Sequence, residues 1–554
     1  MFKANKKHLQ PEMFSTVNQL PEKLREKLEA SWAGIFYREV FARIDEEVFS
    51  VLYSDKDSRP NTPINLLVGL EILKSGRGWS DEEMYEHFHF DVQVRYALGY
   101  RTLGEGDFAI RSLYYFRERL SKYYLKTGIN LLEHAFRDVT NAQITALSIR
   151  TEMQRMDSTQ IASDIVNSSR LSLLVESIQR TKRILCKEDV ERLKETYAPY
   201  AKGSSKQYSY RIKGKDANKK HLQKAGKTMQ NLLTELEEDY AKEPSYQVLK
   251  RLFSEHFKLV ENEPKLKEKG EISSGTLQSI DDLEASFRKK AGKSYRGYVA
   301  NIAETCDPEN DLQLITLVQV EANNISDDKM LADALPVLKE AMEVETMRVD
   351  GGYGGEKSDP VAEELSVEII QSAIRGQKVD AKKFHLADFN VELNDKGKPS
   401  KMTCPQGQEV EIQLARKSGW QARFDPKICE TCLLMERCLV KKQKRDPRPV
   451  LSFRIKELRA AKRRKAYLIH KKDEGNLRAA AEATMRSAKH AFPAGKLPVR
   501  GKFRVTSMMI ASAMHVNLKR IWRYERAVSL FDFLFRFFRD ENLVFCLLSR
   551  NYAF

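Results

Sequence analysis

The distribution of apolar and polar positions divides the chain into helical and strand-like stretches with legible punctuation. Residues 20–140 read as helices: Thr62 before Pro63 is an N-cap followed by a first-turn proline, and Ser80 with Glu83 forms a capping box opening a helix that ends near Gly99. From about Ile144 the pattern changes. Three stretches rich in β-branched residues read as strands: the run into Asp157, LQLITLVQV at 312–320 and VETMRVD at 344–350. Between the first two, residues 166–290 read as amphipathic helices broken by the polar stretch GSSKQYSYRIKGKDANKK at 203–220, a helical insertion. Residues 390–450 are short-stranded, loop-rich and cysteine-bearing, and helical character returns from about Ile455. The apolar run Val528 to Phe538 contains Arg536 and falls short of the roughly 18 apolar residues of a membrane span, so it reads as a buried C-terminal helix.

Composition narrows the class. The 554 residues are 42% hydrophobic and 31% charged, as in a globular, helix-rich protein, and about 150 residues per domain allows roughly three to four units. The opening MFKANKKHLQPEMF lacks an apolar signal region, which, with no membrane-length segment, points to a cytosolic protein without a membrane partner. Seven cysteines, an odd number, argue against a disulfide framework, and Cys186, Cys306 and Cys546 stand alone and read as ordinary buried residues. A formal charge of +16 points to a polyanionic partner, because Lys and Arg gain affinity by displacing counterions from phosphates. Residues 441–472 hold 14 of the Lys and Arg against 2 acids, a block that repels itself without a partner.

Four groups of residues carry candidate chemistry. The strand ending at Asp350 runs into GGYGG, glycines that would let backbone and a metal-bound phosphate approach closely; a glycine-rich turn after a strand is also often only a turn. Asp157 lies within a strand-like stretch, where an acid is disfavoured unless it has a function or a partner. In the helical segment RAAAEATMRSAK at 478–489, Arg478, Glu482 and Lys489 project from one face. They form either a surface salt-bridge stripe or a metal-binding carboxylate flanked by phosphate-holding cations. Cys404, Cys429, Cys432 and Cys438 have a spacing that suits a four-thiolate zinc site, with unligated thiols or a redox pair as the alternatives.

Longer motifs then give a resemblance covering most of the chain. NLLVGLEILKSGRGWSDEEMYEHFHFDVQVRYALGY and LGEGDFAIRSLYYFRERL are followed by RMDSTQIASDI, SRLSLLVESIQR, GYVANIAETCD, ITLVQVEANNISDDKM, VDGGYGG, CPQGQ and CETCLLMERC. In this order they resemble bacterial insertion-sequence transposases of the DDE class, specifically the group of insertion sequence 1182. The resemblance implies a mixed α/β fold: a ribonuclease H-like mixed-sheet catalytic core with an α-helical N-terminal domain, a helical insertion and a Cys-rich insertion. The corresponding boundaries are 1–140 for a DNA-binding helical domain, 141–165 and 291–388 for the first two parts of the core, and 166–290 for the helical insertion. The Cys-rich, zinc-binding insertion takes 389–454, and the C-terminal helical part of the core, bearing the glutamate, takes 455–554.

Asp157 matches the family's first catalytic aspartate, Asp350 the second and Glu482 the glutamate. Arg478, Glu482 and Lys489 meet the related signature Tyr-x2-Arg-x3-Glu-x6-Lys, whose tyrosine position holds Gly475. Such enzymes often continue as Glu-x-x-Phe-Gly, where this chain has Met485 and Arg486. The resemblance implies that the three carboxylates bind two Mg²⁺ (or Mn²⁺) ions, with Arg478 and Lys489 contacting DNA. The implied reaction is hydrolysis at the ends of an insertion sequence, at its terminal inverted repeats, followed by joining of the 3′-OH to target double-stranded DNA. Recognition of two ends implies a homodimer in the synaptic complex, in a bacterial cytoplasm and on the nucleoid. The departures at Gly475 and Met485-Arg486 motivate a second reading, a catalytically silent DNA-binding descendant. A third is a ribonuclease H-like nuclease that cuts without joining.

Overall fold

The computed structural model describes residues 1–10, 14–54, 56, 59–210, 212, 214–290, 292–373, 382–394, 397–415, 419–441, 447–470 and 477–540. Its strands are β1 (Met153–Ile161), β2 (Phe257–Val260), β3 (Glu263–Leu266), β4 (Ser286–Lys290), β5 (Lys293–Thr305), β6 (Ile315–Ala322), β7 (Thr346–Val349) and β8 (Glu368–Gln371). A second group comprises β9 (Asn390–Leu393), β10 (Pro399–Thr403), β11 (Glu409–Leu414), β12 (Trp420–Arg423) and β13 (Val450–Phe453).

The fold is mixed α/β around a mixed sheet. β5 pairs antiparallel with β1, β4 and β6, while β7 lies parallel to β1 and β8 parallel to β7. Side chains alternate strictly across this sheet, which gives it two different faces. On one, Met156, Ala303, Met347 and Val349 pack under Leu331, Ala334, Leu335 and Leu338 of the helix Asp327–Ala341. On the other, Ile161, Tyr298, Ala300 and Ile302 share a core with Met485 and Ala488 of the helix Leu477–Lys489 and Val505, Met509 and Ala513 of the helix Lys502–Asp540. That core continues into the N-terminal helices, because the long helix also packs against Ile64–Arg77 and Leu131–Ala146.

Helix starts follow local chemistry, with one exchange of partners. The Ser80–Glu83 capping box forms, its two hydrogen bonds at 3.1 and 2.7 Å. The helix it opens ends at Phe90 rather than near Gly99, because Asp91 accepts the Gln93 N–H and caps a new helix, Val92–Ala97. At Ile64–Arg77 the cap position is Pro63 itself, and Thr62 does not cap. The buried carboxylate of Glu46 accepts the N–H groups of Ile64 and Asn65 at 2.8 and 3.3 Å instead.

Residues Arg170–Lys182, Lys215–Glu235 and Pro244–His256 form helices around Leu174, Ile178, Leu222, Met229 and Leu249, followed by the β2–β3 hairpin. The polar stretch 203–220 holds a break between helices at Ile212 and Gly214, but most of it is helical. Its residues contribute the helix Ser205–Tyr210 and the first turns of Lys215–Glu235. The strands β9 to β13 form a separate antiparallel sheet with Phe389, Met402, Ala422, Phe424 and Phe453 at its centre.

The dense basic segment has an acidic partner inside the chain. From the helix Ile455–His470, Lys456 pairs with Glu356 at 3.2 Å, Arg459 with Glu363 at 2.9 Å, Lys462 with Glu363 at 3.7 Å, and Arg463 with Asp359. Asp359 and Glu363 lie on the helix Ser358–Glu364, so the self-repulsion expected of residues 441–472 is relieved there by protein carboxylates. Two further expectations change. Cys186 is exposed while Cys306 is buried, and Cys546 lies outside the described residues. Val528 and Leu530 are exposed on the long helix, and the side chains from 531 onward lie outside the description. Among the described residues no helix is long and apolar enough to cross a membrane.

Candidate active site

The parallel register of β1 and β7 ends with Met156 opposite Val349, so the next residues, Asp157 and Asp350, stand side by side. Since Met156 and Val349 point into the core beneath the helix Asp327–Ala341, alternation turns both aspartates to the opposite face. That face is covered by the helix Leu477–Lys489. Asp157, Asp350, Glu482 and Lys489 consequently line one cleft of about 640 Å³, open to solvent. Residues separated by up to 332 positions in the chain meet there.

Each aspartate is oriented by its own neighbour: Asp157 Oδ1 accepts the Ser158 N–H at 2.7 Å, and Asp350 Oδ1 accepts the Gly351 N–H at 2.7 Å. Burial pushes the Asp157 carboxyl above its ordinary range. The Ser158 N–H opposes that shift, the adjacent Asp350 charge adds to it, and Lys290 opposes it. The loop after Asp350 is anchored by Tyr353, whose side chain is buried among the core residues and whose hydroxyl donates to Asn301 Oδ1 at 2.7 Å. Burial first, then the Asp157 charge, holds that phenol protonated. The loop glycines have a packing reason that does not require a phosphate. A Cβ on Gly354 would come within 2.6 Å of Arg463 Cδ, and one on Gly355 within 2.7 Å of Asp328 Cγ.

The remaining expected residues divide. Lys489 is partly buried, and its Nζ donates to Thr159 Oγ1 at 2.6 Å and the Gln160 carbonyl at 3.5 Å; burial lowers its pKa. Arg478 lies in the first turn of its helix with its side chain outside the described residues, as is Gly475 altogether. Met485 fills the core beside Ala488, and Arg486 lines the cleft.

Sequence reasoning missed four cations of the same cleft: Arg155, Lys290, Arg348 and Arg486. Two were available in the pattern. Arg155-Met156-Asp157 and Arg348-Val349-Asp350 repeat Arg-x-Asp, and residues two apart on a strand share a face. The register sets Arg155 beside Arg348 as it sets Asp157 beside Asp350. Arg155 Nε donates to Glu304 Oε1 at 2.7 Å, whereas Nε and Nη1 of Arg348 are buried without a hydrogen-bond partner among the described residues.

The four clustered cysteines also meet. Cys404, Cys429, Cys432 and Cys438 line one small cavity of about 20 Å³ beside the β9–β13 sheet, all as free thiols. Burial raises the Cys429 thiol pKa, and the neighbouring Cys438, Cys404 and Cys432 add to the shift. Among the described residues no group of three or more His, Cys, Asp or Glu side chains is placed so as to hold a metal ion. In the cleft, two carboxylates adjoin on the sheet while Glu482 stands on the helical wall.

Neither the curated proteins nor the solved structures include a match to this chain. The family model described as the transposase DDE domain matches residues 403–522, a segment that holds Glu482, Lys489 and all four clustered cysteines and lies C-terminal to both aspartates.

Proposed function

We propose that this chain is a DDE-type DNA transposase with a ribonuclease H-like catalytic core, in which Asp157, Asp350 and Glu482 are the catalytic carboxylates. The observation that carries this reading is the cleft itself, whose lining includes Asp157, Asp350 and Glu482 together with Arg155, Lys290, Arg348, Arg486 and Lys489. The sheet order supports the core assignment: an antiparallel meander β1–β5–β6, then β7 and β8 parallel to β1, with helices on both faces. The family match over residues 403–522 supports the same reading from sequence.

The donor set is all oxygen, and two adjacent carboxylates, one of them with a raised pKa, gain from a hard divalent cation between them. Asp157 and Asp350 would hold Mg²⁺ or Mn²⁺, with Glu482 completing the set from the facing wall. Bound there, such ions supply an ionised water at neutral pH and charge stabilisation for the departing 3′ oxygen. The residues of the chain do the rest. Lys489 and Arg486, with Arg478 assigned alongside them, hold the phosphate backbone of the element end, and Arg348 offers donors at the cleft floor. The 3′-OH freed by hydrolysis then attacks target DNA, and one phosphodiester replaces another without an external energy source.

The wider assignments are part of the same reading. Terminal inverted repeats are bound by the helical domain at 1–140 and the basic segment before Glu482, with a homodimer pairing two ends in a bacterial cytoplasm. The four thiols of the 389–454 insertion line one cavity without being gathered as a metal site among the described residues, and their closing on a structural zinc is part of the proposal. The function is tested by cleavage and strand transfer on DNA carrying the matching terminal repeats, with Mg²⁺ or Mn²⁺. The native chain is expected to cut and join, while Asp157→Ala, Asp350→Ala and Glu482→Ala each lose both steps and keep DNA binding. A native chain that binds the ends yet never cuts with either metal is instead the silent descendant. Met485 and Arg486, standing where Phe-Gly is usual, are the observation that favours that second reading.

A further inference from the structure

The β4–β5 hairpin has a shape and charge that the cleft alone does not explain. Residues 298–305 of β5 are flanked by β1, and residues 298–304 also pair with β6. Residues 293–297 run on past both neighbours with only β4 beside them. The result is a two-stranded ribbon of five paired positions, about 17 Å long at roughly 3.3 Å per residue.

This ribbon reads SFRKKAGKSYRG, with five cations and no acid. Directly opposed residues share a face, so Arg288, Lys290, Lys293 and Tyr295 line one side, with Lys290 and Lys293 facing each other across the strands. Like charges directly opposed are unfavourable in a sheet unless an anion lies over them. Two of the cations are used by the protein: Arg296 donates to the Ser168 carbonyl at 3.0 Å, and Arg288 pairs loosely with Asp327 at 3.7 Å. Lys289, Lys290 and Lys293 are exposed, and none has an ion pair or hydrogen bond among the described residues. Lys290 also lines the cleft and opposes the rise in the Asp157 pKa, so the tip of the ribbon lies at the mouth of the site.

We propose that the β4–β5 ribbon is a DNA-docking element, in which Lys289, Lys290 and Lys293 grip phosphates of the duplex entering the cleft. A two-stranded ribbon is narrow enough to enter a major groove, and three unpaired ammonium groups on it match a phosphate backbone rather than any single small anion. The inference rests on the transposase reading, since it takes the cleft as the place to which DNA is led.

The test is the salt dependence of binding by the full-length protein to two duplexes, one carrying the element end and one scrambled. Neutralising three phosphate contacts lowers the slope of log Kd against log salt by about 2 to 3. The triple variant K289A/K290A/K293A is expected to show that reduction on both duplexes and at least tenfold weaker binding at moderate salt. K289R/K290R/K293R should keep the native slope. An unchanged slope in a folded triple-alanine variant overturns the ribbon, and if the native protein still cuts and joins, the transposase reading stands without it. Aggregation of the alanine variant with an unchanged slope assigns the lysines to edge protection and equally overturns the proposal. A native protein that binds neither duplex overturns both readings together.

Discussion

Thr484, two residues beyond Glu482 on the same helix, donates its hydroxyl to the Glu304 carboxylate on β5, 2.9 Å from either oxygen. Glu304 is buried, and it also receives Arg155 Nε at 2.7 Å from β1 and Arg520 Nη1 at 2.7 Å from the long C-terminal helix. Arg520 closes the circuit by donating to Thr484. One carboxylate thus fixes the helical wall of the cleft against the strand that carries Asp157.

Removing Glu304 should therefore be costly twice. Glu304→Leu leaves the buried Arg155 and the half-buried Arg520 without that anion, a loss of about 3 kcal/mol, whereas Thr484→Val removes one hydrogen bond at about 1 kcal/mol. Urea unfolding measures both. Because Glu304 acts by positioning, Thr484→Val should lower the cleavage rate while the DNA affinity stays within a factor of two or so. A Thr484→Val protein with native kcat would show that this circuit serves stability alone.

The buried Asp157 gives a pH signature of definite sign. Its folded pKa is raised, so the native state holds the proton more tightly than the unfolded chain. Stability then falls as pH rises through the raised value, and the penalty is complete above it. Asp157→Asn should raise Tm at neutral pH with chelator present, and the gain should fade as pH drops toward the ordinary carboxylate value of 3.8. Adding Mg²⁺ should stabilise the native protein and leave Asp157→Asn unmoved. A metal-free Asp157→Asn protein melting below the native one at pH 7 would contradict the assignment.

Much of this site was legible, and the part that was not has a physical cause. β6 and β7 are marked by β-branched residues, Asp157 lies on β1 and Asp350 directly follows β7. β5, the central partner of β1, was not recognised as a strand. Its run Tyr298–Thr305 is buried on both faces, so no apolar-polar alternation survives, and Asn301 and Glu304 interrupt it. Those two are tolerated only because distant residues satisfy them: Tyr353, Gln319 and Met156 for Asn301, and the Arg155, Arg520 and Thr484 circuit for Glu304. The internal ion pairs of the basic helix Ile455–His470 were hidden for a similar reason. Its acidic counterpart lies about a hundred residues earlier, at Asp359 and Glu363.

Arg348 separates binding from stability most cleanly. Its Nε and Nη1 are buried without acceptors among the described residues, and an unpaired buried donor costs roughly 1 to 3 kcal/mol. Arg348→Met should keep or raise the unfolding midpoint while reducing cleavage by about 10² in kcat, the scale of losing one charge-stabilising donor. The ratio of single-turnover rates reads this directly. A destabilised Arg348→Met protein that cuts at the native rate would make Arg348 a structural residue and remove it from the cleft chemistry.

The cysteine cluster offers a prediction independent of DNA. Burial and three neighbouring thiols raise the Cys429 pKa, which disfavours thiolate in the metal-free protein; a soft cation reverses that balance by binding the deprotonated form. On the zinc proposal the four thiols close around one ion, and the purified chain then carries about one zinc per molecule. Cys429→Ser and Cys432→Ser should each lose it, and a chelator should lower Tm and release protons on zinc re-addition. Since the cluster packs on the β9–β13 sheet rather than lining the carboxylate cleft, zinc loss should leave cleavage of pre-bound DNA largely intact. Zinc-free protein with four freely titrating thiols and an unchanged Tm would identify them as unligated cysteines that meet only through packing.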